Sequence, residues 1–445
     1  MQPPAPMRHG SDCAWNTTAL YVGGAIAAAF VLPRLERGLL PHLVSPISAA
    51  AATAIYSAIA SGMMALTGFV FSLMFVMVQF SASAYSPRLV QWFARDRLVA
   101  HAFGVFTATY VYAIAALSWI DRSGSPSGVP FISALVVVAL LVASVGMFVG
   151  LIRRVSRLQI TRTLAFTGDE GRKAIAALYP EPSWPVAEQC PPVALVPPVV
   201  QATYYGPPLA LQSVDVAGLV ALASEVGAVV EVLVAPGDTL ADASALARVI
   251  GGTRAVDMRR LRRAFVLGVD RTFDQDPKYA IRLLVDIAIR ALSAAINDPT
   301  TAVQALDQIG DLLLRLGRHR IEIGAFRDAA GELRVTMPFP TWDDFLRLAF
   351  DEISTYGAGS VQVMRRMHAL VADLTAALPR ERRESLDRWR ARLRQRVDTH
   401  FDDADERAAA LIEDRQGLGV SRPPRDPADR SPRTPAPPGA SPSSK

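Results

Sequence analysis

From Gly38 to Pro87 the chain carries no Asp, Glu, Lys or Arg. This run far exceeds the roughly 20 apolar residues that carry a helix across a bilayer, so it reads as a membrane element with length to spare. A single helix of about 40 such residues would be about 60 Å long, twice the hydrocarbon core. Either it projects beyond the lipid, or residues 46–60 form an interfacial or half-inserted piece. At about 100° per residue, Ser57, Ser61, Gly68, Ser72, Gln79 and Ser83 fall within an arc of about 80°. Such a row on an otherwise Met, Phe, Val and Leu helix either lets another helix approach closely or faces water. In the second case several copies surround a pore, with Met64 and Phe75 as an apolar constriction and Gln79 and Ser83 near its cytoplasmic mouth.

Three more uncharged runs, Cys13 to Pro33, Leu98 to Ile120 and Ser123 to Ile152, complete a four-helix pattern. The spans are expected at 18–33, 47–80, 102–120 and 131–152, inside a transmembrane domain of residues 18–152. Arg88, Arg95 and Arg97 lie in the middle loop, and Arg153, Arg154, Arg157 and Arg162 follow the last span. The other two loops hold only Arg34, Arg37 and Arg122. The positive-inside rule therefore puts residues 1–17, the middle loop and everything after residue 152 in the cytoplasm. The segment before the first span lacks the basic start of a cleaved signal peptide.

With 51% hydrophobic residues, the chain has an apolar excess concentrated before Arg153. The net charge of +5 is nearly all arginine, since lysine occurs only at positions 173, 278 and 445. That bias reflects base composition first and a preference for anionic lipid second. No basic run interleaved with aromatics accompanies a reader motif, which argues against a nucleic-acid partner. Cys13 and Cys190 are too far apart for a metal knuckle and too few for a disulfide framework.

Residues 153–275 read as a cytoplasmic α/β part with short strands, 276–416 as a helical part, and 417–445 as a disordered tail rich in Pro, Ser and Arg. Strands are expected at 211–216, 228–234, 245–250 and 264–269, a short helix at 217–224, and a turn at Pro236-Gly237-Asp238. The wording from Gly227 to Leu240 looks like a barrel-sandwich hairpin of the lipoyl or membrane-fusion kind, without a lysine at its turn. Arg254 to Arg263 places five arginines on a short helix. Longer helices are expected at 277–295, 299–316, 341–378 and 380–413. Asn297-Asp298-Pro299 punctuates the first two, because a residue before proline avoids the α region while Asp caps and Pro opens the next helix. The fold class is thus a membrane all-α four-helix domain followed by a cytoplasmic α+β domain with a small β-rich, barrel-sandwich-like part and a helical part.

Three separated stretches carry a family likeness: Phe80 to Arg88, Gly268 to Pro277 and Ala291 to Ala302. In this order they resemble the bacterial predicted membrane proteins grouped as domain of unknown function 2254, over about residues 18–378. The resemblance implies a membrane location and marks Ser86, Pro87, Arg88, Asp270, Arg271, Asp276, Pro277, Asn297, Asp298 and Pro299 as motif residues of unknown role. One departure is Ala294, where the motif would have proline.

Asp270, Asp274, Asp276 and Asp298 are the one acidic cluster that could serve a hard metal or a general base. Asp276 and Asp298 both precede proline, where helix capping accounts for them. Arg282, Asp286 and Arg290 on one helix, and Asp307, Asp311 and Arg315 on the next, are spaced for i to i+4 ladders that could also pair across a hairpin. His101 and His319 have no Cys or second His at ligand spacing, and no nucleophile elbow or phosphate loop is present. The sequence therefore offers no catalytic, cofactor or metal residues and points away from an enzyme. It is read as a homo-oligomeric channel or transport-type protein gated or assembled by its cytoplasmic domain, with a membrane-anchored scaffold or sensor as the alternative.

Overall fold

The computed structural model describes residues 11–39, 47–84, 97–122, 129–155, 160–179 and 199–420. Four apolar helices come first: α1 (Ser11–Leu39), α2 (Ala49–Ala84), α3 (Arg97–Arg122) and α4 (Phe131–Val155). All four are long and apolar enough to cross a membrane. α1 opens earlier than the expected Thr18 and runs through Pro33, where Arg34 Nη1 donates to Phe30 O at 2.7 Å in the turn the proline disturbs. α2 is one unbroken helix of 36 residues, so residues 49–60 continue it instead of forming a separate piece.

α3 packs against α1, α2 and α4. Its inner surface is small or aromatic, with Ala102, Phe106, Ala108, Tyr112, Ala113 and Ala116 buried, and it meets Ala25 and Ala29 of α1 and Ala52 and Ala60 of α2. Small side chains let helix backbones close up and gain dispersion contacts where no hydrophobic drive operates. Polar groups at these contacts find one another: the Thr109 and Ser144 hydroxyls lie 2.9 Å apart, those of Tyr112 and Ser133 3.2 Å apart. Tyr21 OH reaches His101 Nδ1 at 3.2 Å, which places this histidine at a helix contact.

After α5 (Ile160–Leu178) the chain builds two sheets. The strands are β1 (Val199–Thr203), β2 (Leu209–Val214), β3 (Ala228–Val232), β4 (Thr239–Leu240), β5 (Ala245–Gly251), β6 (Phe265–Gly268), β7 (Ala325–Arg327) and β8 (Leu333–Thr336). One sheet has the order β1-β5-β3-β8-β7, the other β4-β2-β6. β3 and β4 flank the Pro236 turn but belong to different sheets, so residues 227–240 cross between layers and do not pair with themselves as the expected hairpin would. The parallel β3–β8 pair, with Val230 opposite Val335, brings a distant segment into the sheet that local pattern does not announce. α6 (Val216–Val226) covers the larger sheet, and α7 (Met258–Arg263) precedes β6.

The helical part comprises α8 (Pro277–Ala291), α9 (Pro299–Arg318), α10 (Trp342–Tyr356), α11 (Val361–Ala377), α12 (Arg380–His400) and α13 (Ala404–Ala410). α5 joins it: a Cβ at Gly171 would collide with Ala280 and Leu312, so only glycine lets α5 sit against α8 and α9. The region expected as one helix over 341–378 is two. Ser360 caps the second, its hydroxyl oxygen accepting from Val363 N at 3.4 Å, while a capping box of Thr341 and Asp344 starts the first. The region 380–413 likewise breaks, at Asp403, which accepts from Asp405 N and Glu406 N. Residues 417–420 are folded against α11, contrary to the disorder expected from residue 417: buried Asp414 accepts from Gln416 N and Gly419 N. The remainder of that tail lies outside the described residues.

His368 of α11 is buried, 5% exposed. Burial first, and then the positive fields of Arg394 and Arg390, bring its imidazole down from 6.5 to about 4. The fold refuses a proton that the unfolded chain accepts, so stability falls as pH drops below 6.5 and the loss is complete near 4. It amounts to about 3 kcal/mol. We expect His368→Leu to flatten the melting temperature against pH between these limits, measured on the full-length protein in detergent.

Candidate functional site

Two places gather the residues that the sequence singles out. The first is the outer face of α2. Ala52, Tyr56, Ala60, Met63 and Val70 are buried and face the α3 contact, whereas Ser57, Ser61, Gly68, Ser72 and Gln79 are all exposed. On a helical wheel the two sets lie about 150° apart. Nothing stands within 4 Å of a Cβ built on Gly68. Among the described residues, the row therefore lies away from the helix contacts of its own chain. Met64 and Phe75 share this outward side at 64% and 57% exposure. The side chain of Ser83, and Ser86, Pro87 and Arg88, lie outside the described residues.

Glu36 is a polar residue of the helical domain that the sequence reading passed over. It is 4% exposed, and its two carboxylate oxygens accept from Phe131 N at 2.5 Å and Ile132 N at 3.0 Å. A carboxylate from the end of α1 thus satisfies the first free amides of α4 and opposes the positive end of its dipole. The available signal was its isolation: Glu36 is the only acid between Asp12 and Asp96.

The second place is the joint between the β-rich part and the helical part. Gln275, at φ +55°, aims its amide at β2, accepting from Val214 N at 2.9 Å and donating to Val214 O at 3.1 Å. Gln212 Nε2 donates to Asp270 O at 2.8 Å. Asp276, expected as the cap of α8, makes no side-chain cap bond. Instead its Oδ2 accepts from Arg271 Nη2 at 2.6 Å and Nε at 3.1 Å, and the arginine lies 5.1 Å over the Tyr279 ring. Burial pushes the Asp276 carboxyl above its ordinary range, and the Arg271 charge opposes that push. Gly237, at φ +94°, seats the turn after β3 directly on this pair, where any Cβ would strike both partners. The Gly268–Pro277 motif is thus a clasp between the two parts. An Asp before proline predicts a cap; the ion pair escapes that pattern because Arg271, five residues earlier, is not at helical spacing and is brought back by the intervening turn.

Asn297-Asp298-Pro299 behaves as read: Asn297 is left-handed at φ +48°, Asp298 caps α9 by accepting from Thr301 N at 3.1 Å, and Pro299 is its first residue. Ala294 lies in the exposed turn between α8 and α9. With Asp276 paired to Arg271 and Asp298 capping α9, the four carboxylates do not act together; no group of three or more metal-ligating side chains occurs among the described residues. The charge ladders also take different partners across helices. Arg282 bonds Asp286 on its own helix and Glu352 on α10, Asp311 bonds Arg315 and Arg172 of α5, and Asp307 bonds Arg366 of α11. The α8–α9 hairpin meets through apolar faces such as Leu284 and Leu306, which sends these charges outward to third helices.

Four apolar helices followed by a mixed α/β portion, whose β-rich and helical parts meet at this clasp, define a membrane protein of a particular build. The chain belongs to the family described as predicted membrane protein DUF2254, whose model matches residues 12–373. It is similar to an uncharacterized protein of Mycobacterium bovis and to another of Mycobacterium tuberculosis, each 24% identical over 401 residues, spanning 87% of this chain and 76% of the relative. No solved structure matches it.

Breaking a buried ion pair from one side strands a charge, at a cost of about 3–5 kcal/mol. We expect Arg271→Met to lower the thermal stability of the full-length protein strongly. Adding Asp276→Asn should restore much of it, a non-additive cycle read by differential scanning fluorimetry in detergent.

Proposed function

We propose that the protein is a homo-oligomer of the bacterial inner membrane in which copies of α2 line a pore or transport path, with both termini and the α/β portion cytoplasmic. The observation that carries this reading is the exposed row of Ser57, Ser61, Gly68, Ser72 and Gln79, turned away from α3. An amide and three hydroxyls left facing acyl chains would be costly, whereas around an axis they meet water or one another. Met64 and Phe75, exposed on the same side, supply the apolar constriction. The orientation rests on the arginine excess in the middle loop and after the fourth span. A role without catalysis accords with Asp276 being spent in an ion pair and Asp298 in a helix cap. The α/β portion would assemble or gate the membrane part.

Reconstituted wild-type protein is expected to pass small ions or solutes across liposomes. Ser72→Leu combined with Gln79→Leu should cut that flux at least tenfold without lowering the melting temperature. Ser72→Cys, in a background lacking Cys13 and Cys190, should form disulfide-linked copies through α2. A monomer by native mass spectrometry, with flux indifferent to the leucines, would leave α2 as a lipid-facing anchor and remove the pore.

A further inference from the structure

The helix α7 and the residues leading into it carry five arginines, of which only Arg260 has a salt bridge among the described residues. Asp257 caps α7, accepting from Arg259 N at 2.9 Å and Arg260 N at 3.2 Å, and this contact draws its carboxyl below the usual range. Arg260 is neutralised by a two-pronged bond to Glu225 of α6, both distances 2.8 Å. Leu261 is buried and anchors the helix. Arg254, Arg259, Arg262 and Arg263 are exposed, and none has a salt bridge among the described residues. Other arginines of the α/β portion, such as Arg172, Arg282, Arg315, Arg334 and Arg415, are each bonded to a carboxylate.

The two strands packed beside α7 are β1 and β6. Both expose large aliphatic side chains: Val199 and Val200 on β1 and Val266 on β6. Unpaired guanidinium groups flanked by exposed valines match the chemistry of a membrane interface, where phosphates meet the ends of acyl chains. The chain is held at a bilayer by its four apolar helices, so the lipid surface is present at high effective concentration without a separate binding event.

We propose that the α7 arginine cluster docks on the anionic phospholipid headgroups of the membrane in which the protein is anchored. Arg254, Arg259, Arg262 and Arg263 supply the charge, and the neighbouring valines of β1 and β6 settle against the headgroup layer. Each arginine near an anionic surface strengthens the contact about fivefold. The contact is screened over about 8 Å at physiological ionic strength, so it weakens as salt rises.

The test uses full-length protein in nanodiscs of phosphatidylcholine alone or of phosphatidylcholine with phosphatidylglycerol, followed by hydrogen exchange. Residues 254–263 and 199–203 should be protected several-fold in the anionic discs, and high salt should reverse this. Replacing the four arginines by serine should abolish the difference, while replacing them by lysine should retain most of it. Exchange in β3 and α9 serves as the control for folding and should be the same in all variants. Equal exchange of residues 254–263 in the two lipids would overturn the proposal. So would protection by inorganic phosphate in the neutral discs, which would make the cluster a site for a soluble anion.

Discussion

Lipid gives a polypeptide no hydrogen-bond partners, and the membrane half of this protein is arranged around that deficiency. α3 sits at the centre of the other three helices, and several of the polar groups that enter its contacts are answered there, the buried Tyr56 hydroxyl excepted. Thr109 meets Ser144, Tyr112 meets Ser133, and Glu36 closes the open end of α4. The exposed serines and glutamine of α2 stand apart from this economy. Among the described residues of α2 they form a polar row that the chain's own packing leaves outside.

The α/β portion depends on a different kind of contact. Its β-rich and helical parts each have an apolar core, one built on the strands with α6 and α7 and the other on α5 and α8 to α13. Between them lies the motif from Gly268 to Pro277, which ties β2 through Gln275 and receives the Gly237 turn on the Arg271–Asp276 pair. The buried pair leaves Asp276 Oδ1 without a hydrogen-bond partner, and the hydroxyl of Tyr179, which lies in the field of Asp276, is also unpartnered. Buried polar groups of this kind specify one arrangement of the two parts at some expense in stability.

Much of the fold was legible because its signals are local. Uncharged length announced the four helices, Asp298-Pro299 announced the α8–α9 boundary, and alternating valines announced β3. What the sequence hid is long-range. β7 and β8 are short and join the sheet through a parallel pair with β3, and α5 is apolar only in relation to α8 and α9. Glycine and serine at 357–360 divided a region whose periodicity looked continuous. For the candidate sites the pattern repeats: the α2 row could be drawn from spacing alone, but which side α3 would cover could not. Asp276 looked like its counterpart Asp298 because proline follows both, and only the turn that returns Arg271 to it separates an ion pair from a cap.

The unbroken α2 has a mechanical consequence. Its apolar span of 28 residues is about 42 Å long, while an average hydrocarbon core is about 30 Å. Hydrophobic mismatch of this size is relieved by leaning, at an angle of the order of 40°, or by stretching the surrounding lipid. Packed against a central neighbour that is shorter, such a helix crosses it obliquely, and bilayer thickness becomes a variable to which the angle between the two responds.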